Sequence, residues 1–229
     1  MPPGGWYTFE GYFSLWTQMA SYGFVIVATK SCTLGCKHGG WSTFFHEQLH
    51  CIDWARNVSG GGGGADPGAY PGISRVDWTA GVGICGHSMG GQATVRSATA
   101  ANTVAHHRNI TAAVLHHPEV DSGGGKIAVP LAAFTGTTDT ICPAPETMEI
   151  WDPAPLPKTI RNQKGEGHLE PVLTPPIENP YLATFTAAWF KIYLGGDVGE
   201  YYDMIYNPGN ASADALCTHA AMEDCRTLK

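Results

Sequence analysis

The pentapeptide Gly86-His87-Ser88-Met89-Gly90 places a serine close to two glycines, directly after the apolar run 81–85. A segment with helix-forming character begins at Gly91. A serine in this pattern, between a strand and a helix, sits on a strained turn in which glycines remove side chains that would collide. The peptide dipoles of the helix favour negative charge at its N-terminus. The pattern therefore predicts that Ser88 is a nucleophile.

Two later residues have the types and positions that a serine nucleophile requires. A serine hydroxyl reacts well only when a neighbouring base takes its proton, and that base needs an acid to orient it. Asp139 follows the apolar run 129–135, and His168 follows the last strand candidate, 158–161. The chain order serine, acid, histidine, with each residue after a strand, is one of the known arrangements of such a triad. We predict that Ser88, Asp139 and His168 form a catalytic triad.

The negative oxygen formed during acyl transfer needs two backbone N–H donors. The N–H of Met89 is expected to be one donor, and the second is expected from Gly5 or Trp6, in the turn at the start of the chain. Two histidine positions and one tyrosine are expected to shape or line the substrate site: Tyr7, His87 and His117.

The elements that must position these residues alternate between strands and helices. Apolar spacing predicts helices over about 12–20, 44–58, 91–105 and 181–194, and strands over 24–28, 81–86, 110–116, 129–135 and 158–161. Such alternation indicates a mostly parallel sheet of about five strands with helices on both faces. The length of 229 residues predicts one domain over 1–229.

Several segments together resemble the polyester hydrolase and cutinase-like branch of the α/β-hydrolases, which includes poly(ethylene terephthalate) hydrolases. They are Pro3-Gly4-Gly5, 19–26, Gly86-His87-Ser88-Met89-Gly90-Gly91, Val129-Pro130, Asp139-Thr140-Ile141-Cys142-Pro143, His168 and the late cysteine pair. The resemblance runs from Pro3 to near Cys225. It implies an α/β-hydrolase fold, hydrolysis of apolar or aromatic carboxylic esters through an acyl-enzyme, polyesters such as PET or cutin as candidate substrates, and no cofactor. It also implies that Met89 and Ile141 line the substrate pocket.

The chain departs from that branch in two places. His117-Pro118 stands where the branch has a tryptophan after a strand, which puts aromatic stacking of substrate there in question. The branch also places three strands before its oxyanion turn, whereas this sequence begins at that turn, so its sheet is expected to be shortened at the N-terminal side. An unpaired sheet edge is a ready template for another strand. We expect the shortened sheet either to repack or to be completed in a homodimer.

Composition limits the partners and the compartment. A net charge of −7 argues against nucleic acid or an anionic membrane as the main partner. No apolar run reaches the ~20 residues that span a bilayer, and the N-terminus shows no signal peptide. Among seven cysteines, Cys217 and Cys225 are predicted to form a disulfide, Cys85 is expected to be a buried thiol, and Cys32, Cys36 and Cys51 could form a second bridge. This cysteine content favours a secreted, extracytoplasmic protein.

Two alternatives remain open on the sequence. His46-Glu47-Gln48-Leu49-His50 matches the H-E-x-x-H signature of zinc metalloproteases on a predicted helix. The longer form of that signature needs a glycine and a third histidine, but Asp53 and Arg56 stand there, so a helix with solvent-facing histidines and no metal site is the expected outcome. The other alternative is a hydrolase-like binding protein without catalytic activity.

Overall fold

The computed structural model describes residues 9–28, 43–62, 67–70, 72–120, 125–173, 180–210 and 215–229. Within them, five strands form one sheet in the order β1–β2–β3–β4–β5. The strands are β1 (Val82–Ser88), β2 (Ile110–Pro118), β3 (Leu131–Gly136), β4 (Lys158–Gln163) and β5 (Met222–Leu228). The first four run parallel, and β5 pairs antiparallel with β4. The predicted α/β fold with a mostly parallel sheet is therefore confirmed.

Eight α-helices connect or flank these strands in the described residues. They are α1 (Phe13–Ser21), α2 (Phe44–Ser59), α3 (Met89–Ser97), α4 (Ala100–Val104), α5 (Ala144–Trp151), α6 (Glu170–Leu173), α7 (Pro180–Gly195) and α8 (Glu200–Tyr206). The predicted helices over 12–20, 44–58 and 181–194 match α1, α2 and α7. The helix predicted over 91–105 is instead two helices, α3 and α4.

Both faces of the sheet are buried, as expected for parallel strands covered by helices. On one face, Ala112 and Val114 of β2 pack in a cluster with α1 and α7, where Trp189 is fully buried. On the other face, Ala113 and Leu115 pack in a second cluster with residues of α2, α3 and α5. Alternate residues of one strand thus serve two cores. Because both faces are packed, the register of each strand is fixed, and so is the position of the polar residues at its carboxyl end.

The sheet differs from the prediction at both of its edges. The expected strand at 24–28 is not a strand, since this segment follows α1 with no assigned pairing. The fifth strand is instead β5, which the sequence analysis missed. Met222 is its one fully buried residue, while Glu223 and Asp224 are exposed, so β5 lacks the apolar alternation that identifies a strand.

An apolar cavity of about 440 Å³ adjoins the outermost parallel strand. Residues 24–27 and 81–85 both line it, together with side chains from α1, α2 and α7, among them Trp16 and Phe190. Within the described part of the chain, β1 pairs only with β2. The segment expected as a strand therefore borders a cavity beside β1.

The cysteines agree with the sequence analysis in part. Cys217 and Cys225 form the predicted disulfide. Cys51 is a free thiol, which removes it from the expected second bridge, and Cys32 and Cys36 lie outside the described residues. Cys85 is free and half-buried rather than buried. As for membrane crossing, none of the helices in the described residues is long and apolar enough for it.

Candidate active site

Ser88 stands at the turn between β1 and α3 with φ 54° and ψ −123°, a backbone conformation that L-residues rarely adopt. Two close approaches make the turn possible. A side chain at Gly86 would collide with the backbone of Gly90, and one at Gly91 would meet Pro118 at the end of β2. The predicted strained turn at Ser88 is therefore present, and its glycines are needed for the reason the sequence indicates.

The structure brings Ser88, His168 and Asp139 together in one hydrogen-bonded series. His168 Nε2 lies 2.9 Å from Ser88 Oγ, and His168 Nδ1 lies 3.1 Å from Asp139 Oδ2. A carboxylate only accepts hydrogen bonds, so Nδ1 carries the proton and Nε2 is left to accept from the Ser88 hydroxyl. All three residues are no more than 9% exposed. The geometry is that of a serine with a correctly oriented base.

Asp139 is held by four hydrogen bonds. Its Oδ1 accepts from the backbone N–H groups of Ile141 and Cys142, at 2.9 and 2.8 Å, and its Oδ2 accepts from His168 and His117. Burial by itself would raise the pKa of Asp139, but the bonds from His117, His168 and the Cys142 amide outweigh it, and the pKa lies below its usual range. The carboxylate is therefore ionised and fixed in orientation.

His87, the residue before the serine, lies behind the site rather than on its surface. It is 1% exposed, and its Nε2 donates to the backbone oxygen of His168 at 2.7 Å. Its Nδ1 lies 2.7 Å from the hydroxyl of Tyr12, which therefore donates to it. Burial, followed by the nearby His168 and His117, holds the pKa of His87 well below its usual value. His87 therefore shapes the site indirectly. Its neutral ring holds the backbone of His168 and is not exposed to substrate.

His117 was expected to contact substrate, but it lies beneath the site and is fully buried. Its Nδ1 donates to Asp139 Oδ2 and its Nε2 donates to Glu170 Oε2, both at 2.7 Å. Glu170 in turn accepts from Arg161 Nη2 through both oxygens at 3.0 Å, and Arg161 Nη1 also donates to Gln163. All of the charged groups here are buried and each bonds a group of opposite charge, while Arg161 Nε has no hydrogen-bond partner within the described residues.

The charges in this network follow from its partners. Burial opposes a charge on His117, but the hydrogen bonds from its ring to Asp139 and Glu170 outweigh burial and raise its pKa. Burial likewise opposes ionisation of Glu170, yet the neighbouring Arg161 and the bond from His117 lower its pKa to about 2. His117 is therefore an imidazolium between two carboxylates. Glu170 and Arg161 were not among the expected site residues.

Three of these groups also form a cluster whose donor atoms all lie within 4.8 Å of one another: His117, Asp139 and His168. Both imidazoles are at hydrogen-bond distance from the same oxygen of Asp139, and their Nε2 atoms are engaged by Glu170 and Ser88. A cation among them would displace these bonds. The arrangement fits a proton-sharing network better than a metal centre.

The nearby thiol of Cys142 does not compete with Ser88 as a nucleophile. Burial, then the negative charges of Asp139 and Glu119, raise the pKa of Cys142 to about 12. The reactive form of a cysteine is its thiolate, so this thiol stays protonated near neutral pH.

The expected oxyanion and substrate residues are only partly within the described chain. Met89 is the first residue of α3, and its N–H belongs to the first turn, where backbone N–H groups have no partner inside the helix. Ile141 is 63% exposed and its N–H binds Asp139, which places it at the surface above the acid. Gly5, Trp6 and Tyr7 lie outside the described residues.

The H-E-x-x-H segment lies on α2, where His46 and His50 are exposed and Glu47 is half-buried. No group of three metal-ligating side chains in the described residues includes either histidine. The same helix faces the core with Gln48, whose amide donates to the backbone oxygen of Cys85 in β1. These positions agree with a structural helix that carries two histidines toward solvent.

Comparison with known proteins adds no assignment, because neither a protein-family model nor a curated protein matches this chain. The likeness to polyester hydrolases and cutinases therefore remains a resemblance carried by the residues quoted above.

Proposed function

We propose that this protein is a serine carboxylic ester hydrolase. The observation that carries the proposal is a hydrogen-bonded series that starts at a serine on a strained strand-to-helix turn. Ser88 Oγ lies 2.9 Å from His168 Nε2, and His168 Nδ1 lies 3.1 Å from Asp139 Oδ2. Strain of this kind persists where the surrounding structure enforces it, and it clusters at functional sites. A binding protein without catalysis has no use for a serine held in this way.

The geometry supports a two-step mechanism. His168 Nε2 takes the Ser88 hydroxyl proton while Oγ attacks the ester carbonyl carbon, and in this mechanism the Met89 N–H donates to the oxygen that becomes negative. His168 returns the proton to the departing alcohol, which leaves an acyl group on Ser88. His168 then takes a proton from water, the hydroxide attacks the acyl carbon, and the acid departs as Ser88 regains its proton. Asp139 stabilises the imidazolium formed in both steps.

The proposed substrates are apolar or aromatic esters. Ile141 exposes an apolar side chain above Asp139, and Met89 follows the nucleophile. Both agree with an apolar acyl group at the site. Polyesters such as PET or cutin enter the proposal through the resemblance alone, and the position of His117 beneath the site removes an aromatic platform from that place. Small soluble esters are therefore the first substrates to test.

Two further parts of the proposal concern the setting of the enzyme. We propose a secreted protein, which the Cys217–Cys225 disulfide supports. We also propose that a homodimer can complete the sheet, since among the described residues β1 pairs only with β2 and borders an apolar cavity. Small-angle X-ray scattering and light scattering in solution test the proposed homodimer, and a compact monomer at all concentrations would contradict it.

The main experiment is hydrolysis of a short p-nitrophenyl ester by the wild type and three comparison samples: Ser88→Ala, the double variant His46→Ala/His50→Ala, and wild type treated with a chelator. We expect Ser88→Ala to lose activity by at least about 10³-fold, with the other two samples active. Labelling by a serine-reactive phosphonate should occur at Ser88. Activity that survives Ser88→Ala and disappears with the chelator would instead favour a zinc hydrolase that uses His46, Glu47 and His50. No activity and no labelling would favour the binding protein.

A further inference from the structure

His117 occupies a constrained position that the serine–histidine–aspartate series does not itself require. In the pairing of β1 with β2, His87 is opposite His116 and Ser88 is opposite Pro118, so His117 is one extra residue in β2. Its φ is 45°, in the left-handed region that residues other than glycine seldom adopt. A bulge of this type redirects a side chain next to a functional site. The strain at His117 places its ring between Asp139 and Glu170.

Hydrogen-bond chemistry fixes the charge on that ring. Asp139 and Glu170 accept from the two nitrogens of His117 at 2.7 Å each. Glu170 is ionised, because Arg161 donates to both of its oxygens. Two ionised carboxylates cannot donate, so both nitrogens of His117 carry protons. The ring is therefore a cation, and its side chain has no exposure to solvent.

We propose that His117 is a positioning residue of the esterase: a buried imidazolium that holds Asp139 toward His168 and keeps the base free of its proton in mildly acidic solution. The inference rests on the proposed function and extends it to the pH range in which the enzyme works. Two features of the geometry carry it, namely the shared oxygen of Asp139 and the distance between the two rings.

The shared oxygen links the two imidazoles chemically. Asp139 Oδ2 accepts from His117 at 2.7 Å and from His168 at 3.1 Å. The shorter bond belongs to His117, so this cation takes the larger share of the negative charge on that oxygen. Less of it is then available to stabilise a second cation on His168. The His117 bond also prevents the carboxylate from rotating away from the base.

Direct repulsion acts in the same direction. The ring centroids of His117 and His168 are 6.0 Å apart. A proton that binds His168 creates a second positive charge at that distance inside a buried site. Six other charged or titratable groups surround the two rings. They are His87, His116, Asp139, Arg161, Glu166 and Glu170. His87 and His116 are neutral, and Glu170 accepts from both Arg161 and His117. His117 is therefore the cation that shares Asp139 with His168.

The test is the pH dependence of kcat/KM for a p-nitrophenyl ester, measured on His117→Gln, His117→Lys and the wild type. Glutamine retains hydrogen-bond donors but removes the charge, whereas lysine retains the charge. For one unit charge about 6 Å away at an effective dielectric constant of about 20 to 40, the acid limb of the profile in His117→Gln should move to higher pH by about one to two units. His117→Lys should keep its midpoint within about half a unit of the wild type.

The matched control is His116→Gln, which changes the neighbouring buried histidine. His116 bonds Thr186, and burial above all lowers its pKa to about 3, so it carries no charge in the working range. Its replacement should leave the acid limb in place. The proposal would be overturned if the pH midpoint of the acid limb stayed unchanged in folded His117→Gln. It would also be overturned if this midpoint moved equally in His117→Gln and His117→Lys.

A measurement on the unaltered protein covers the case in which the variants do not fold. In an ¹H–¹⁵N spectrum at neutral pH, the His117 ring should show two slowly exchanging N–H protons; one proton would overturn the proposal. The two hypotheses fail separately. A wild type that hydrolyses no ester and takes no phosphonate contradicts the proposed function, whereas an active wild type with an unmoved His117→Gln profile contradicts only this inference.

Discussion

Glu170→Gln tests the buried network at the point where its charges depend most on one another. The side chain of Glu170 is fully buried, and its oxygens accept from Arg161 at 3.0 Å and from His117 at 2.7 Å. Glutamine has nearly the same shape but no negative charge. The substitution therefore leaves the guanidinium and the imidazolium in a buried site with one compensating carboxylate fewer, and removing one partner of a buried pair costs about 3–5 kcal/mol.

The pKa of Glu170 gives an independent magnitude. Burial raises this pKa, but Arg161 and the His117 bond outweigh it and lower the value from 4.5 to about 2. A shift of that size corresponds to about 3 kcal/mol of stability from the ionised carboxylate. Because the folded pKa is the lower one, this stability is fully present above about pH 5 and is lost as the pH falls toward about 2. The variant should lack this part of the acid dependence.

The assay is thermal unfolding of wild type and Glu170→Gln at neutral pH and in steps down to about pH 3. At neutral pH we expect Tm to fall by about 6–12 °C, with a smaller further loss on acidification than in the wild type. Glu223→Gln is the matched control, since this exposed carboxylate lies 3.8 Å from Lys164 and such pairs contribute about 0–1 kcal/mol. Equal Tm and equal acid dependence in wild type and Glu170→Gln would refute the reasoning.

Three further predictions concern the backbone and the crosslink. Ser88→Gly should be more stable than Ser88→Ala by about 1 kcal/mol, because glycine accepts a φ of 54° without strain; equal unfolding free energies would contradict this. Gly136→Ala should lower kcat by at least about tenfold, because its methyl group would meet the backbone of Glu166 and displace the loop that carries the base; unchanged kinetics would contradict the close approach. Cys217→Ser/Cys225→Ser should lower stability by about 2–3 kcal/mol in denaturant titration, since the loop between these cysteines is short, and a reducing agent should affect only the wild type.

Local sequence signals were enough to predict the part of the site that one turn creates. Gly86 must be glycine because a side chain there would meet the backbone of Gly90 within the same pentapeptide, whereas the constraint on Gly91 comes from Pro118 at the end of β2. Asp139 could be predicted because it follows β3, whose two buried faces produce an apolar run. His168 could be predicted from its place after the short strand candidate 158–161, although Ile160 is the one apolar residue of β4. The sheet then brings them together at the same edge, as parallel strands do.

The remainder depends on contacts between distant segments. The segment at 24–28 has the composition of a strand, but pairing needs a neighbouring backbone that composition does not report. The role of Glu170, at the start of α6, depends on Arg161 of β4 and His117 of β2. One signal was available: Arg161 is the last residue of the predicted strand 158–161, and in a sheet covered by helices on both faces a buried arginine requires a carboxylate partner.

The place of β1 in the sheet affects how the proposed enzyme loses activity on heating. This strand carries Ser88 at its end, and in the described residues its lateral support comes from β2 alone, with an apolar cavity on the side lined by residues 24–27. Edge strands open at lower free energy than central ones, because fewer bonds must break. Detachment of β1 would release the Ser88 turn while the rest of the sheet stays folded. The half-life of activity at high temperature would then report the strength of one strand pairing rather than the stability of the whole domain.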